Sequence, residues 1–176
     1  PGTHGDILLD GVKVPVAHRI GEEGKGFKLA MGRITLNRLL HCATMLGMAE
    51  LALNLSVDYA RTRVQFGRPI AKFQAVSHMI ADMATELYAA RSMMYATAAS
   101  YDAGGDIRTQ SSMCKVFSSE TAFRIADRAV QVHGGAGLIN GHPVEWLFRA
   151  TRMMRILTGT SEIQRNTIAK GILMPD

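Results

Sequence analysis

Apolar residues recur at helical spacing over three long stretches and two short ones. From Phe27 to about Arg61 they fall at Phe27, Ala30, Met31, Ile34, Leu39, Leu40, Ala43, Met45, Leu46 and Leu51, which predicts one long helix. Gly32 and Gly47 inside it each cost about 1 kcal/mol. A second helix, from about Phe73 to Tyr101, carries Val76, Met79, Ile80, Met83, Leu87, Ala90 and Met94, and Gly104-Gly105 ends it. Asp106 suits the N-cap of a third, from about Ile107 to His133, with Met113, Val116, Phe117, Ile125, Ala129 and Val132 as its buried stripe. Gly134-Gly135-Ala136-Gly137 stops it. Pro143 suits the first position of a fourth helix, with Glu145 near the positive end. Gly159 breaks that helix, and Ser161 with Gln164 three residues on reads as the capping-box start of a fifth. Three long helices and two short ones predict an all-α fold, an antiparallel helical bundle.

A short β segment is expected ahead of the bundle. Asp6 to Val16 is rich in Val, Ile and Leu, turns at Asp10-Gly11 and carries Pro15, so it reads as extended. A lone strand or hairpin cannot bury itself. Residues 1–20 are therefore expected to be the torn edge of a sheet lying upstream, and residues 21–176 the helical domain, opening with a Gly21–Gly26 loop.

Composition narrows the function. The 176 residues are 47% hydrophobic and 20% charged, which excludes a disordered chain. Aromatics reach only 6%, so the core is expected to be aliphatic, with the 11 methionines as adaptable filler. Net charge is +5, but no run of like charges occurs and most basic residues are Arg, so the balance favours fixed bidentate contacts over nucleic acid. No signal peptide is evident, and no stretch reads as a membrane span, since charges or Gly/His clusters interrupt each candidate. Cys42 and Cys114 are too few for a disulfide scaffold and suit a reducing compartment. None of His4, His18, His41, His78, His133 and His142 has zinc-type spacing, so no metal site is expected. Gly135-Ala136-Gly137-Leu138-Ile139-Asn140 nearly matches a dinucleotide fingerprint, but it follows a helix rather than a strand and ends in Asn.

Three segments carry chemistry. Arg61-Thr62-Arg63-Val64-Gln65-Phe66-Gly67-Arg68-Pro69-Ile70, with Phe73-Gln74 after it, sets arginines and a Phe on a stiff bend. Alone it reads equally as a helix end with arginines facing the dipole. Gln131-Val132-His133-Gly134-Gly135 is the second. Thr158-Gly159-Thr160-Ser161-Glu162-Ile163-Gln164-Arg165 is the third, offering hydroxyls and free N–H groups at a helix start. In this order they resemble the C-terminal part of the acyl-CoA dehydrogenase flavoprotein family, and the resemblance covers essentially the whole chain.

The resemblance implies an FAD-dependent oxidoreductase that removes the α-proton of an acyl-CoA while hydride leaves the β-carbon. It implies FAD contacts at Arg63, Gln65, Phe66, Phe73, Gln74, Gln131, Val132, His133, Gly134, Gly135, Thr160, Ser161 and Glu162, and substrate contacts at Arg38 and Gly159. Residues 1–20 then correspond to the last part of the family's middle β domain. The partners implied are acyl-CoA, a second copy in a homodimer or homotetramer, and an electron-transfer flavoprotein as acceptor, in the bacterial cytoplasm or the mitochondrial matrix. FAD binding by these residues alone is expected to be weak or absent, and the fragment inactive. The family's catalytic carboxylate stands just before the Gly of Gly159-Thr160-Ser161, or one residue before Arg38. Here those residues are Thr158 and Asn37, neither of which serves as a general base near neutral pH. Two other expectations stay open: a degenerate subunit that completes a partner's FAD site, and a cofactor-free oligomerisation module.

Overall fold

The computed structural model describes residues 5–174. Its helices are α1 (Gly26–Thr62), α2 (Gln74–Asp102), α3 (Arg108–His133), α4 (Pro143–Met154) and α5 (Ser161–Leu173), each within a few residues of the pattern's prediction. The caps differ in detail. At α3, Ile107 takes the cap position, and Asp106 acts from one residue further out, its Oδ1 accepting the Arg108 N–H at 3.0 Å. At α5, Thr160 rather than Ser161 is the cap, its hydroxyl accepting from Ile163 N at 3.3 Å. No capping box closes there, because the Gln164 amide turns back onto carbonyls instead. Pro143 does open α4, and His142 Nδ1 accepts the Val144 N–H at 3.2 Å.

α3 is the central helix and touches the other four. α2 runs antiparallel to both α1 and α3, as Glu50–Arg91 between α1 and α2 and Glu86–Arg124 between α2 and α3 mark. The most extensive interface is nevertheless the parallel pair α1–α3. Arg38 meets Ser112 and Tyr59 meets His133, the same 74-residue offset at both points. α1 buries Cys42, Met45, Ala49, Ala52, Ser56 and Ala60 along one stripe, and its small residues let α3 approach closely.

The buried side of α3 is not the apolar stripe that the sequence predicts. Ile125, Ala129 and Val132 are buried, but Met113, Val116 and Phe117 are only half-buried, while Ser111, Ser112, Lys115, Ser118, Ser119 and Thr121 lie inside. Several of these hydroxyls fold onto their own helix. Ser111 and Ser112 donate to Arg108 O, and Ser119 to Val116 O, each at 3.1 Å. A hydroxyl satisfied in this way is buried without the cost of an unpaired polar group. The same device holds Ser56, Thr97 and Thr151 in the core.

By length and composition alone α1 could cross a membrane, although His41, Gly47 and Glu50 interrupt its apolar run, as the sequence suggests. In this fold its apolar middle is spent on the bundle core. The stretch 6–16 forms no strand. Its apolar residues are exposed, Ile7 at 87% and Leu8 at 88%, and among the described residues the regular structure before α1 is a 3-10 turn at Val16–His18. The β structure among the described residues is a hairpin of β1 (Val64–Gln65) and β2 (Arg68–Pro69), paired Val64 to Pro69 and Gln65 to Arg68. Its two-residue loop, Phe66-Gly67, has positive φ at both positions (53° and 78°), the turn whose twist matches paired strands.

Candidate functional site

The hairpin caps the C-terminal end of α1. Arg63 N–H donates to Tyr59 O at 2.8 Å, and Ile70 N–H to Arg63 O at 2.8 Å, so the exposed Arg63 side chain stands at a fixed corner. Phe66 is 91% exposed and meets Phe73 edge-on at 6.1 Å, while the Arg68 guanidinium lies 4.2 Å over the Phe73 ring. Gln74 is the first, exposed residue of α2.

In-register packing brings the end of α3 to the same corner. An open cavity of about 460 Å³ is lined by Arg63, Gln65, Val132, His133, Gly134 and Gly135, with Tyr59 in its wall. Gly134 ends α3 at φ 58°, a conformation suited to glycine, and neither it nor Gly135 has any atom within 4 Å of where a Cβ would stand. Its backbone is thus open to a ligand. The His133 ring stacks on Tyr59 at 4.4 Å and meets His142 edge-on at 5.2 Å. Burial lowers its pKa, with the neighbouring His142 adding to the shift and the bond to Ala129 O opposing it. A carbonyl only accepts, so the 2.8 Å contact of Nδ1 with Ala129 O puts the proton on Nδ1. His133 is therefore a neutral ring near pH 7 whose Nε2 accepts. Gln131 is exposed beside this cluster.

A second group surrounds the turn between α4 and α5. Thr158 and Gly159 both adopt positive φ (56° and 91°). Gln164 Nε2 donates to Thr158 O and Gly159 O at 3.1 Å each, and Ser161 Oγ to Glu120 Oε1 on α3 at 2.8 Å. The turn is less open than the sequence suggests, because Ser161 N already donates to Arg155 O and Ile163 N to the Thr160 hydroxyl. Glu162 is exposed. Backbone N–H donation first, then the Thr160 hydroxyl and nearby arginines, hold its carboxyl below the usual carboxylate range.

A third group lies near the start of α3. Arg38 is only 6% exposed; Nη1 donates to Ser112 Oγ at 3.3 Å, and its buried Nε makes no hydrogen bond. Asn37 beside it is half-buried. The residues the sequence singles out are therefore strung along α3, with Arg38 at Ser112, the 158–161 turn at Glu120 and the glycines past His133. At about 1.5 Å per residue this spans about 30 Å. Such a row suits an elongated ligand rather than a compact one.

Sequence reasoning missed Tyr59, His142, Glu120, Gln164 as a clamp, and buried Lys115. Tyr59 stands one turn before Arg63, a signal that was readable. Glu120 carries none, since its partners lie 35 and 41 residues away in the chain. His18 and His78 are exposed and His41 half-buried, apart from these groups, and His4 is outside the described residues. Among the described residues no three His, Cys, Asp or Glu side chains gather to hold a metal.

Comparison with known proteins matches this arrangement. Residues 24–173 fit the sequence profile described as "Acyl-CoA dehydrogenase, C-terminal domain". An acyl-CoA dehydrogenase of Bacillus subtilis (strain 168) is 44% identical over 168 residues, which are 96% of this chain and 44% of the relative. Among solved structures, butyryl-CoA dehydrogenase from Megasphaera elsdenii superposes with a TM-score of 0.91 at 37% identity, over 94% of this chain and 43% of that one. The FAD complex of PigA superposes with a TM-score of 0.88 at 29% identity, over 96% and 44%. The chain thus spans less than half the length of the proteins it matches. It shares their fold, and it belongs to the acyl-CoA dehydrogenase family, as the C-terminal helical domain of that fold.

Proposed function

We propose that this chain forms one wall of the FAD site and of the acyl-CoA channel in an enzyme that dehydrogenates CoA thioesters between the α- and β-carbons. The observation that carries this reading is the cavity where Arg63, Gln65, His133, Gly134 and Gly135 converge. Its chemistry fits a dinucleotide. Arg63 can neutralise a phosphate bidentately. The open Gly134-Gly135 backbone admits close approach, and neutral His133 offers an acceptor. Phe66 and Phe73 give a flat face for a ring, with Gln65, Gln74 and Gln131 as amide donors and acceptors around it. Midway along the row, Thr160, Ser161 and Glu162 offer hydroxyl and backbone groups. Bound there, FAD supplies a two-electron acceptor. Arg38 and Gly159 are assigned to the thioester side, with a second copy of the chain and an electron-transfer flavoprotein as partners. The buried free thiols Cys42 and Cys114 suit a reducing compartment such as the bacterial cytoplasm.

FAD titration at low salt tests the reading. The chain binds FAD weakly through these contacts, and Arg63→Ala lowers the affinity about tenfold, as loss of a charged hydrogen bond does. Raising the salt shrinks the difference. A wild-type chain whose fluorescence and calorimetry no FAD concentration perturbs overturns the assignment.

Neutral residues at both family base positions favour a second reading, a subunit that completes a flavin site without abstracting a proton itself. Flavin bound but not reduced by an acyl-CoA distinguishes it from the first.

A further inference from the structure

The turn between α4 and α5 is held far more tightly than a surface connection requires. The Thr158 hydroxyl side chain sits on a backbone at φ 56°, where a β-branched residue is unfavourable, and Gly159 follows at φ 91°. Such a pair persists only where the surroundings over-determine it. Here they do so from two helices. The backbone closes the base of the loop, Ser161 N donating to Arg155 O at 3.1 Å. Glu120, one residue of α3, grips both ends of that closure. Its Oε1 accepts from Ser161 Oγ at 2.8 Å, and its Oε2 lies 2.9 Å from Arg155 Nε. The Arg155 N–H is not aimed at that oxygen, so the second contact is an ion pair rather than a hydrogen bond. From α5, buried Gln164 holds the middle through the carbonyls of Thr158 and Gly159. A Cβ at residue 159 would stand 2.6 Å from Gln164 Nε2, so the glycine also makes room for this clamp.

We propose that Glu120, with Gln164, is a positioning residue for the reaction: it fixes the 155–161 loop, and so the placement of residues 158–161 against the thioester and flavin. The inference rests on the proposed function for what the loop faces, but not for how the loop is held. Glu120 lies on the central helix that also carries Ser112 under Arg38 and His133 under Tyr59. One rigid element therefore sets all three groups of site residues in a common register.

Hydrogen exchange read residue by residue tests the hold. Glu120→Ala is expected to speed exchange at the amides of residues 159–163 about tenfold or more while the middle of α1 and of α3 stays protected. Gln164→Glu, which keeps the shape but can no longer donate, is expected to do the same. Glu120→Gln keeps an acceptor for Ser161 and loses only the charge facing Arg155. It should fall between wild type and Glu120→Ala, and it serves if the alanine variant folds poorly. Glu86→Ala is the control. It removes an α2–α3 ion pair with Arg124 and Arg128 and should leave the 159–163 amides unchanged. Calorimetry with butyryl-CoA in the presence of FAD tests the consequence. Glu120→Ala should bind about tenfold more weakly than wild type, the loss of one well-held contact, while Glu86→Ala binds as wild type does. Unaltered exchange at 159–163 in both Glu120→Ala and Gln164→Glu overturns the proposal. So does faster exchange with unaltered butyryl-CoA affinity, or equal losses of affinity in Glu120→Ala and Glu86→Ala. A wild type that takes up neither FAD nor butyryl-CoA sinks the function proposed above instead, and the exchange arm then decides the role of Glu120 in the loop.

Discussion

At the scale of single residues the fold accepts a clear cost at Lys115. Lys115 is wholly buried on α3 and its ammonium makes no hydrogen bond. Burial lowers its pKa from the usual lysine value, and Arg38 adds to the shift, while Cys42, Glu120 and Glu162 oppose it. Cys42 gives little direct help, because burial pushes its thiol up to about 12 and leaves it protonated at neutral pH. A buried, unpaired donor typically costs about 2 kcal/mol, so Lys115→Met should raise stability in urea at pH 7 by about that amount. The sign of the pH dependence follows from linkage. The folded pKa lies below the unfolded one, so the unfolded chain binds the extra proton between them and stability rises with pH across that window. The gain from Lys115→Met should therefore shrink as pH climbs towards the unfolded lysine value. A variant less stable than wild type at pH 7, or a gain that grows with pH, contradicts the account. Thr158 is the second residue with a consequence. General-base catalysis contributes at least about 10²-fold in rate, and the neutral residues Asn37 and Thr158 cannot supply it. In a full-length, FAD-loaded protein that carries this chain, Thr158→Glu should speed flavin reduction by butyryl-CoA about tenfold or more in stopped flow. Rapid reduction by the wild type would instead show that a carboxylate elsewhere does this work.

At the scale of elements, what the sequence shows depends on how local the cause is. All five helices were legible, because each has a breaker or a cap within a few residues of its ends: Gly104-Gly105, Gly134, Pro143 and Gly159. The inward face of α3 was not. Burying Ser111, Ser112, Ser118, Ser119 and Thr121 depends on close tertiary neighbours, and apolar periodicity does not record that. The stretch 6–16 failed for the converse reason. Its Val, Ile and Leu suit a strand, but a strand needs a partner edge, and none pairs with it among the described residues. In the candidate site, Arg63, Gln65 and the His133–Gly135 run were readable through the family resemblance. The register of α1 on α3 places them around one cavity, and that register is a property of packing rather than of either sequence segment. The Glu120 clamp was invisible because a single carboxylate on a helix looks like any solvated charge until its partners in the α4–α5 loop are known.

At the scale of the whole molecule, the surface away from the site is what remains unaccounted for. α1 carries Leu36, Leu40, Gly47 and Leu51 at 4-7-4 spacing on the side opposite its buried stripe, and all four are exposed. On the neighbouring α2, Ala81, Ala84, Tyr88, Ser92, Tyr95 and Ala99 form a second exposed stripe of small and aromatic residues, with Tyr88 76% and Tyr95 63% exposed. A shallow hollow between them is lined by Ala43, Gly47, Glu50, Arg91 and Tyr95, and its floor holds the Glu50–Arg91 ion pair. Small residues flanked by tyrosines around a paired charge resemble the core of an interface more than a solvated helix face. A contiguous patch of this kind is unusual on a monomer. A second copy presenting the same stripes would cover it symmetrically, since a two-fold contact needs only one self-complementary patch. The chain is therefore expected to self-associate through α1 and α2, with a mass by light scattering of at least twice 19.2 kDa at micromolar concentration. Tyr88→Glu and Tyr95→Lys, both on exposed positions, should shift it towards monomer without altering the helical circular dichroism. Because the patch lies away from the Arg63 corner, these variants should leave FAD affinity intact unless the second copy itself reaches the flavin. A wild type that scatters as a monomer at micromolar concentration would rule the interface out and leave the two stripes to contacts with another protein surface.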